Sequence, residues 1–163
     1  MKIILTFPTI ITPHGGARVL FEWCYRLKKL GHDVGLFVEN GKLQCTWYDL
    51  SGITVTADHS AYKHYDCIVI GSPHSIWLQD HIRPHQKCFL FMQMVEEYFR
   101  PGNALWKKQC EQFYLSKYPI IHGSRWGEEH CRNLGRTCEI HYIGDGVNIK
   151  HFPMINKPKD GKT

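Results

Sequence analysis

The sequence predicts an α/β domain of the doubly wound class, with a mainly parallel sheet and helices on both of its faces. The chain has 163 residues, 43% of them hydrophobic and 21% charged, which fits one globular domain. Short apolar runs alternate with amphipathic stretches along the chain, an order typical of α/β folds. The runs are almost continuously apolar, as expected for strands buried on both faces of a parallel sheet.

The first strand, helix and second strand form the clearest part of this pattern. Residues 3–7 are an apolar run that predicts a strand. Gly15 and Gly16 open a helix whose apolar residues recur at helical spacing until Gly31, a residue typical of helix ends. Residues 34–38 form the second strand. Such a unit predicts two parallel strands joined by a right-handed crossover.

The remaining elements continue the alternation less regularly. Further strands are predicted at 53–56, 67–70, 89–92, 120–121 and 139–143, and further helices at 104–117 and from an N-cap at Ser124 to residue 134. Ligands in such sheets bind at the carboxyl ends of the strands. The loops at 8–16, 71–74, 93–99 and 123–124 are therefore expected to share one rim.

The Gly15-Gly16 pair is the first candidate binding feature on that rim. Glycine lets the backbone approach a ligand closely, and the N-terminus of the following helix favours an anion such as phosphate. A tight strand-to-helix turn without a ligand explains the pair equally well, since the full Gly-x-Gly-x-x-Gly fingerprint is absent. Arg18 either holds an anion or faces solvent.

The segment 93–101 is the second candidate, because it follows a predicted buried strand and places two carboxylates beside aromatic residues. Glu96 and Glu97 can perform acid–base chemistry if burial raises the pKa of one of them. The alternative is a solvated loop with Tyr98 and Phe99 packed underneath it.

Charge and histidine spacing argue against nucleic-acid and metal sites. The net charge of +5 is scattered and contains no run of like charges, so nucleic acid is not an expected partner. Pro84 separates His81 from His85, which keeps them from sharing a helix face, and no Cys-x-x-Cys pair is present. We expect no metal and no other cofactor.

Cysteine usage and hydropathy point to a cytoplasmic protein. The chain has seven cysteines, an odd number without a disulfide framework. Cys24, Cys67, Cys88 and Cys110 lie in apolar stretches and are expected to be buried free thiols. No stretch approaches the roughly 20 apolar residues of a membrane span. Peripheral contact with an anionic inner membrane face stays open.

Three stretches, taken in order, resemble the N-terminal domain of GT-B glycosyltransferases, and family 4 in particular. Gly15-Gly16-Ala17-Arg18 resembles the opening of those enzymes. The segments 124–135 and 142–152, which include Ile143-Gly144-Asp145-Gly146-Val147, resemble the close of their first domain. Between them, Gln93, Glu96, Tyr98, Phe99 and Pro101 match a motif of a subgroup that includes polysaccharide rhamnosyltransferases. Met94 and Glu97 depart from that motif, which has Asp and Pro there.

This resemblance implies a division of the chain and of the enzyme. Residues 1–152 would be the Rossmann-like, acceptor-side half of a GT-B fold, and 153–163 the start of an interdomain linker or a tail. A C-terminal domain outside this sequence would bind most of the nucleotide-sugar donor. The implied reaction transfers a hexosyl or rhamnosyl group to a glycan or other glycoconjugate with retention, and this half alone would be inactive.

The resemblance also implies roles for particular residues. It assigns donor and phosphate binding to Gly15, Gly16 and Arg18, catalysis to Gln93 and Glu96, and the acceptor side to His74, Tyr98, Phe99 and Ser124. The main alternative is a Rossmann-like binding module or partner subunit without catalysis. A nicotinamide-dependent oxidoreductase is disfavoured, because the glycine fingerprint is absent and Glu39 is the only candidate for a ribose-binding acid.

Overall fold

A computed structural model describes residues 1–10, 13 and 15–143, and it contains a seven-stranded sheet. The strands are β1 (Lys2–Phe7), β2 (Asp33–Val38), β3 (Thr54–Thr56), β4 (Cys67–Ile70), β5 (Lys87–Met92), β6 (Ile120–His122) and β7 (Ile140–Tyr142). The α-helices are α1 (Gly15–Lys29), α2 (Ala104–Tyr114) and α3 (Arg125–Asn133), and 3₁₀ helices span Ala61–His64, Pro73–His81 and Glu96–Phe99.

The strand order is β3-β2-β1-β4-β5-β6-β7, and all neighbouring pairs are parallel. Strand β1 lies between β2 and β4, with Ile3 opposite both Val34 and Cys67. The direction of winding therefore reverses between β1 and β4, and the crevice outside their carboxyl ends is where such sheets bind ligands. The predicted fold class is confirmed.

The core divides between the two faces of the sheet, because successive side chains of a strand point to opposite sides. Ile3 and Leu5 of β1 pack with α1, whose Ala17, Leu20, Phe21 and Cys24 are buried. Ile4 belongs to the opposite cluster, which includes residues of α2 and α3 such as Phe113 and Cys131. The predicted placement of helices on both faces is therefore correct.

Two local expectations differ from the structure. Helix α2 ends at Tyr114 rather than at residue 117. The buried guanidinium of Arg136 donates hydrogen bonds to the carbonyl oxygens of Tyr114 and Ser116, so side-chain contacts replace a further helical turn. The 3₁₀ helix Pro73–His81 was not predicted, because its apolar residues lack the 3.6-residue period of an α-helix.

Further predictions concern the cysteines, membrane-spanning helices and the C-terminal residues. All seven cysteines are free, and Cys24, Cys67, Cys88 and Cys110 are buried as expected. In the described part of the chain, no helix has the length and apolar character needed to cross a membrane. The predictions for 144–152 and for the tail at 153–163 lie outside the described residues, and the domain boundary at 152 stays a prediction.

Candidate functional site

The rim at the carboxyl ends of the strands joins two of the predicted motifs. Gln93 follows β5, and its Nε2 donates a hydrogen bond to the carbonyl oxygen of Gly16 at 3.2 Å. Since β4 separates β1 from β5, this side chain reaches across the carboxyl end of β4. A Cβ on Gly16 would lie 2.7 Å from Gln93 Oε1, so the absence of a side chain permits the close approach. The predicted phosphate-binding turn and the predicted acceptor loop therefore meet at the crevice.

A second glycine closes the base of the crevice. The N–H of Gly71, which follows β4, donates to the carbonyl oxygen of Thr6 at 3.2 Å. A Cβ on Gly71 would lie 2.5 Å from that same oxygen, which belongs to the backbone and cannot move aside easily. The ends of β1 and β4 are thus held together below the site.

The N-terminus of α1 provides the partial positive charge that the sequence predicts there. The first turn of this helix contains no acidic residue that would cancel the helix dipole. Gly15 and Arg18 are exposed, so both are accessible to a ligand. Burial, and then the hydrogen bond that its hydroxyl donates to Glu22 at 3.1 Å, raise the pKa of Tyr48 to about 12, and the positive charge of nearby Arg18 opposes this rise.

Glu96 lies in the 3₁₀ helix after β5 and is held through its backbone. Its N–H donates to the Tyr114 hydroxyl oxygen at 2.7 Å, and its carbonyl oxygen accepts a hydrogen bond from Trp106 Nε1 at 2.9 Å. Burial, and then the neighbouring Glu97, raise the pKa of the Glu96 carboxyl to about 7. The raised pKa that acid–base chemistry requires is therefore found at Glu96.

The Glu97 carboxylate contacts side chains of the two helices beside it, α2 and α3. It accepts a hydrogen bond from the Tyr114 hydroxyl, and its Oε1 lies 2.8 Å from Nε2 of His130 on α3. The Glu97 and His130 side chains are only 23% and 20% exposed. The two adjacent carboxyl groups consequently have different surroundings, which is how acid–base pairs acquire distinct roles.

Tyr98 and Phe99 point outward, so the alternative in which they pack beneath the loop is wrong. They are 61% and 60% exposed. The ring of Tyr98 stacks on that of Trp126 with centroids 6.0 Å apart and planes 21° apart. Trp126 is itself 52% exposed. An aromatic surface of this kind lies on the same short helix as Glu96 and can stack against a ring of a ligand.

His74 lies at the start of the 3₁₀ helix Pro73–His81, with its ring 4.6 Å from that of Trp106. Burial and then the positive charge of Arg100 lower the pKa of His74, and the Glu39 carboxylate opposes this effect. The imidazole is therefore held in its neutral form near pH 7. Glu39, the candidate ribose-binding acid, accepts a hydrogen bond from Trp77 Nε1 at 3.3 Å.

Ser124 is the N-cap of α3, as predicted. Its Oγ accepts a hydrogen bond from the N–H of Gly127 at 3.2 Å, and its own N–H donates to Nδ1 of His122 at 2.8 Å. The hydroxyl therefore stabilises the first turn of the helix. An additional contact between Ser124 and an acceptor stays a prediction.

Burial changes the acidity of three cysteine side chains. Burial raises the pKa of Cys24, Cys88 and Cys110 to about 12, which keeps these thiols protonated at neutral pH. Across residues 1–10, 13 and 15–143, no group of three or more His, Cys, Asp or Glu side chains is arranged to hold a metal ion.

Sequence reasoning missed the partners that position the glutamates. Trp106 and Tyr114 are predictable as the apolar stripe of α2, but their polar atoms bind residues on another element. The hydrogen-bonding capacity of buried tyrosine and tryptophan was the available signal. Nothing in the sequence pairs His130 with Glu97 or Trp126 with Tyr98, because those contacts depend on the packing of α3.

The chain is similar to solved structures, although no protein-family model and no curated protein matches it. HepE of Anabaena, solved in complex with UDP-glucose, is 13% identical, with a TM-score of 0.67 over 92% of this chain and 45% of HepE. An α-glucosyltransferase, solved with UDP and a 13-mer DNA containing a central A:G mismatch, is 15% identical. Its TM-score is 0.51 over 77% of this chain and 37% of that enzyme.

These likenesses define the class of fold. Both structures contain the doubly wound α/β architecture of this chain, and this chain spans less than half the length of either. One of the two proteins is a glucosyltransferase, and both were solved with UDP or a UDP-sugar. At these identities the family 4 and rhamnosyltransferase-like assignments stay predictions.

Proposed function

We propose that this chain is the acceptor-side, Rossmann-like half of a retaining GT-B glycosyltransferase, related to family 4, that uses a nucleotide-sugar donor. The observation that carries the proposal is the hydrogen bond between Gln93 and Gly16, which joins the expected donor and acceptor loops at the crevice of the sheet. The likeness to HepE, solved with UDP-glucose, supports a nucleotide-sugar ligand. The transferred group is a hexose or rhamnose, and the acceptor is a glycan or other glycoconjugate.

The donor diphosphate would lie at the N-terminus of α1. The backbone at Gly15 and Gly16 approaches it closely, and the helix dipole and Arg18 favour its negative charge. As the sugar leaves, charge develops on the diphosphate, and fixed positive groups stabilise that charge most in the transition state. This electrostatic role needs no metal or other cofactor.

The acceptor would lie over the loop that follows β5. The Glu96 carboxyl, with a pKa of about 7, can exchange a proton or hydrogen bond with an acceptor hydroxyl near neutral pH. Gln93 fixes the adjacent turn, and the exposed rings of Tyr98 and Phe99 provide a stacking surface for a sugar. His74 and Ser124 would contact the acceptor beside this surface.

The proposal includes a second domain and a location. The C-terminal domain would close over the rim and supply most donor contacts, so we expect the 163-residue chain alone not to transfer sugar. We place the enzyme in the cytoplasm, with peripheral contact at the inner membrane face that the net charge of +5 favours. Nucleic acid is not a proposed partner.

Titration of the ¹⁵N-labelled chain with UDP-glucose, followed by NMR, tests the site. We expect shifts at the Gly15 and Gly16 amides and at the Gln93 side-chain amide. As an internal control, resonances should stay unchanged at the cavity of about 600 Å³ beside the C-terminal end of α2, which Gln79 and Lys108 line. Shifts confined to that cavity would contradict the proposed site.

The reading frame past the codon for Thr163 tests the second domain. We expect about one further α/β domain with a Glu-x7-Glu pair, and sugar transfer by the longer protein but not by this chain. Efficient turnover by the 163-residue chain would refute the division of labour. A frame that stops at Thr163 would favour a binding module or partner subunit.

A further inference from the structure

We propose that Glu97 is a positioning residue for Glu96: its carboxylate, held by Tyr114 of α2 and close to His130 of α3, fixes a negative charge beside the Glu96 carboxyl. The catalytic meaning of this arrangement rests on the proposed function. The titration of Glu96 does not, because it can be observed in the chain without any substrate.

Contacts to two helices fix the Glu97 carboxylate in place. One oxygen accepts a hydrogen bond from the Tyr114 hydroxyl on α2, and the other lies 2.8 Å from His130 Nε2 on α3. The rings of Tyr114 and His130 also meet edge to face, with centroids 5.3 Å apart. The hydrogen bond from Tyr114 and the close approach of His130 both oppose rotation of this carboxylate toward solvent, so it stays at this position.

The Tyr114 hydroxyl links the two glutamates directly. It accepts a hydrogen bond from the backbone N–H of Glu96 at 2.7 Å and donates one to the carboxylate of Glu97. Burial, and then the hydrogen bond to Glu97, raise the pKa of this phenol, so it remains a neutral donor. The backbone of Glu96 and the charge of Glu97 are therefore fixed by the same atom.

The groups that face the pair do not cancel this charge completely. Cys110 of α2 is close enough that both glutamates raise its pKa, after burial, to about 12, and it is neutral. His130 of α3 contributes positive charge only when it is protonated. Burial and the charge of Glu97 act together on the Glu96 carboxyl, and both disfavour its ionised form.

The two adjacent carboxyl groups have different contacts and can therefore have different roles. The Glu97 carboxylate accepts a hydrogen bond from Tyr114 within the protein. Glu96, in its protonated form, can donate a hydrogen bond to a ligand oxygen, which an ionised carboxylate cannot do. For the proposed transfer, the protonated form of Glu96 would orient an acceptor oxygen, and its ionised form would take the proton that the acceptor hydroxyl releases.

Carboxyl ¹³C chemical shifts of labelled glutamates, followed against pH in the 163-residue chain, test this inference. The Glu96 midpoint is expected near pH 7 in the unsubstituted chain. In Glu97→Gln it should fall by about one pH unit, because the neutral amide keeps the shape but removes the charge. Glu129→Gln, an exposed substitution on α3, is the matched control and should leave the midpoint unchanged.

Glu97→Asp provides a second variant if Glu97→Gln does not give a folded amide spectrum. It retains the charge, so the midpoint of Glu96 should remain well above that of an ordinary glutamate. An unchanged midpoint in Glu97→Gln, or an ordinary midpoint in Glu97→Asp or the unsubstituted chain, would overturn the inference. Loss of UDP-glucose binding alone would count only against the proposed function.

Discussion

At the scale of single residues, the Glu96 carboxyl makes the free energy of unfolding depend on pH. Its pKa is raised from 4.5 to about 7, by burial first and by Glu97 second. Between these two values the folded chain holds a proton that the unfolded chain releases. Stability from this group is therefore complete below the unfolded pKa and is lost as pH rises through the folded pKa.

We predict that Glu96→Gln stabilises the chain at about pH 8 and has little effect at about pH 4. The neutral amide avoids the cost of a buried charge, which we put at about 2 kcal/mol after allowing for partial exposure of the side chain. Urea unfolding at both pH values measures the free energy of unfolding. The exposed Glu111→Gln is the control, and equal effects of Glu96→Gln at the two pH values would contradict the prediction.

The space around two neighbouring glycines of α1 gives a second prediction at the scale of single residues. A Cβ on Gly16 would meet Gln93 Oε1 at 2.7 Å, whereas a Cβ on Gly15 would meet nothing within 4 Å. Because Gln93 is flexible at its end, we predict that Gly16→Ala displaces its amide and costs about 1 kcal/mol. Gly15→Ala should be neutral or slightly stabilising.

The double variant Gly16→Ala/Gln93→Ala tests whether the contact with the Gln93 amide causes this cost. Without the Gln93 amide, the added methyl group has room, so its cost should disappear and the cycle should be non-additive. The Gln93 side-chain NH₂ resonances report displacement in the single variant. Additive costs, or unchanged resonances, would show that Gln93 does not press on Gly16.

At the scale of elements, the packing of α3 on β6 depends on one glycine. Gly127 is buried in α3, and a Cβ there would overlap the imidazole of His122 at the end of β6. His122 is itself fully buried and accepts the hydrogen bond from the Ser124 N–H that starts α3. Neither the helix nor the ring can move without disturbing the other.

We predict that Gly127→Ala destabilises the chain by about 3 kcal/mol. Helix propensity alone would favour alanine over glycine by about 1 kcal/mol, so the predicted sign is opposite to that of an unpacked helix. Urea unfolding measures the change, with Gly15→Ala as the control. A stabilising effect at Gly127 would mean that α3 lies further from His122 than the structure shows.

Elements with a strong local signal could be predicted from the sequence, and those fixed by distant contacts could not. The apolar run at β4 (Cys67–Ile70) and the N-cap at Ser124 needed only neighbouring residues. The end of α2 depends on Arg136, whose guanidinium also reaches the carbonyl oxygens of Tyr118 and Glu139. Similarly, the sequence identified the two glutamates but not which one is bound, since His130 comes from another helix.

At the scale of the whole molecule, the candidate site lies over the centre of the sheet. Strands β1, β4 and β5 each pair on both sides, and Gly71 and Gln93 directly follow β4 and β5. Within the described residues, β3 and β7 are the edge strands and pair on one side only. Sites supported by rigid elements hold their geometry more closely than sites on mobile ones.

We predict that amide hydrogen exchange follows this order. The slowest amides should lie in β1, β4 and β5, where exchange requires the largest opening of the sheet, and the fastest strand amides in β3 and β7. Exchange followed by NMR in the ligand-free chain measures the protection of each strand. If β3 or β7 were as protected as β1, the sheet would open as one unit, and the crevice would gain no rigidity from its central position. Slow exchange confined to the centre would instead mean that Gly16, Gln93 and Glu96 stand on the most stable part of the fold before any ligand binds.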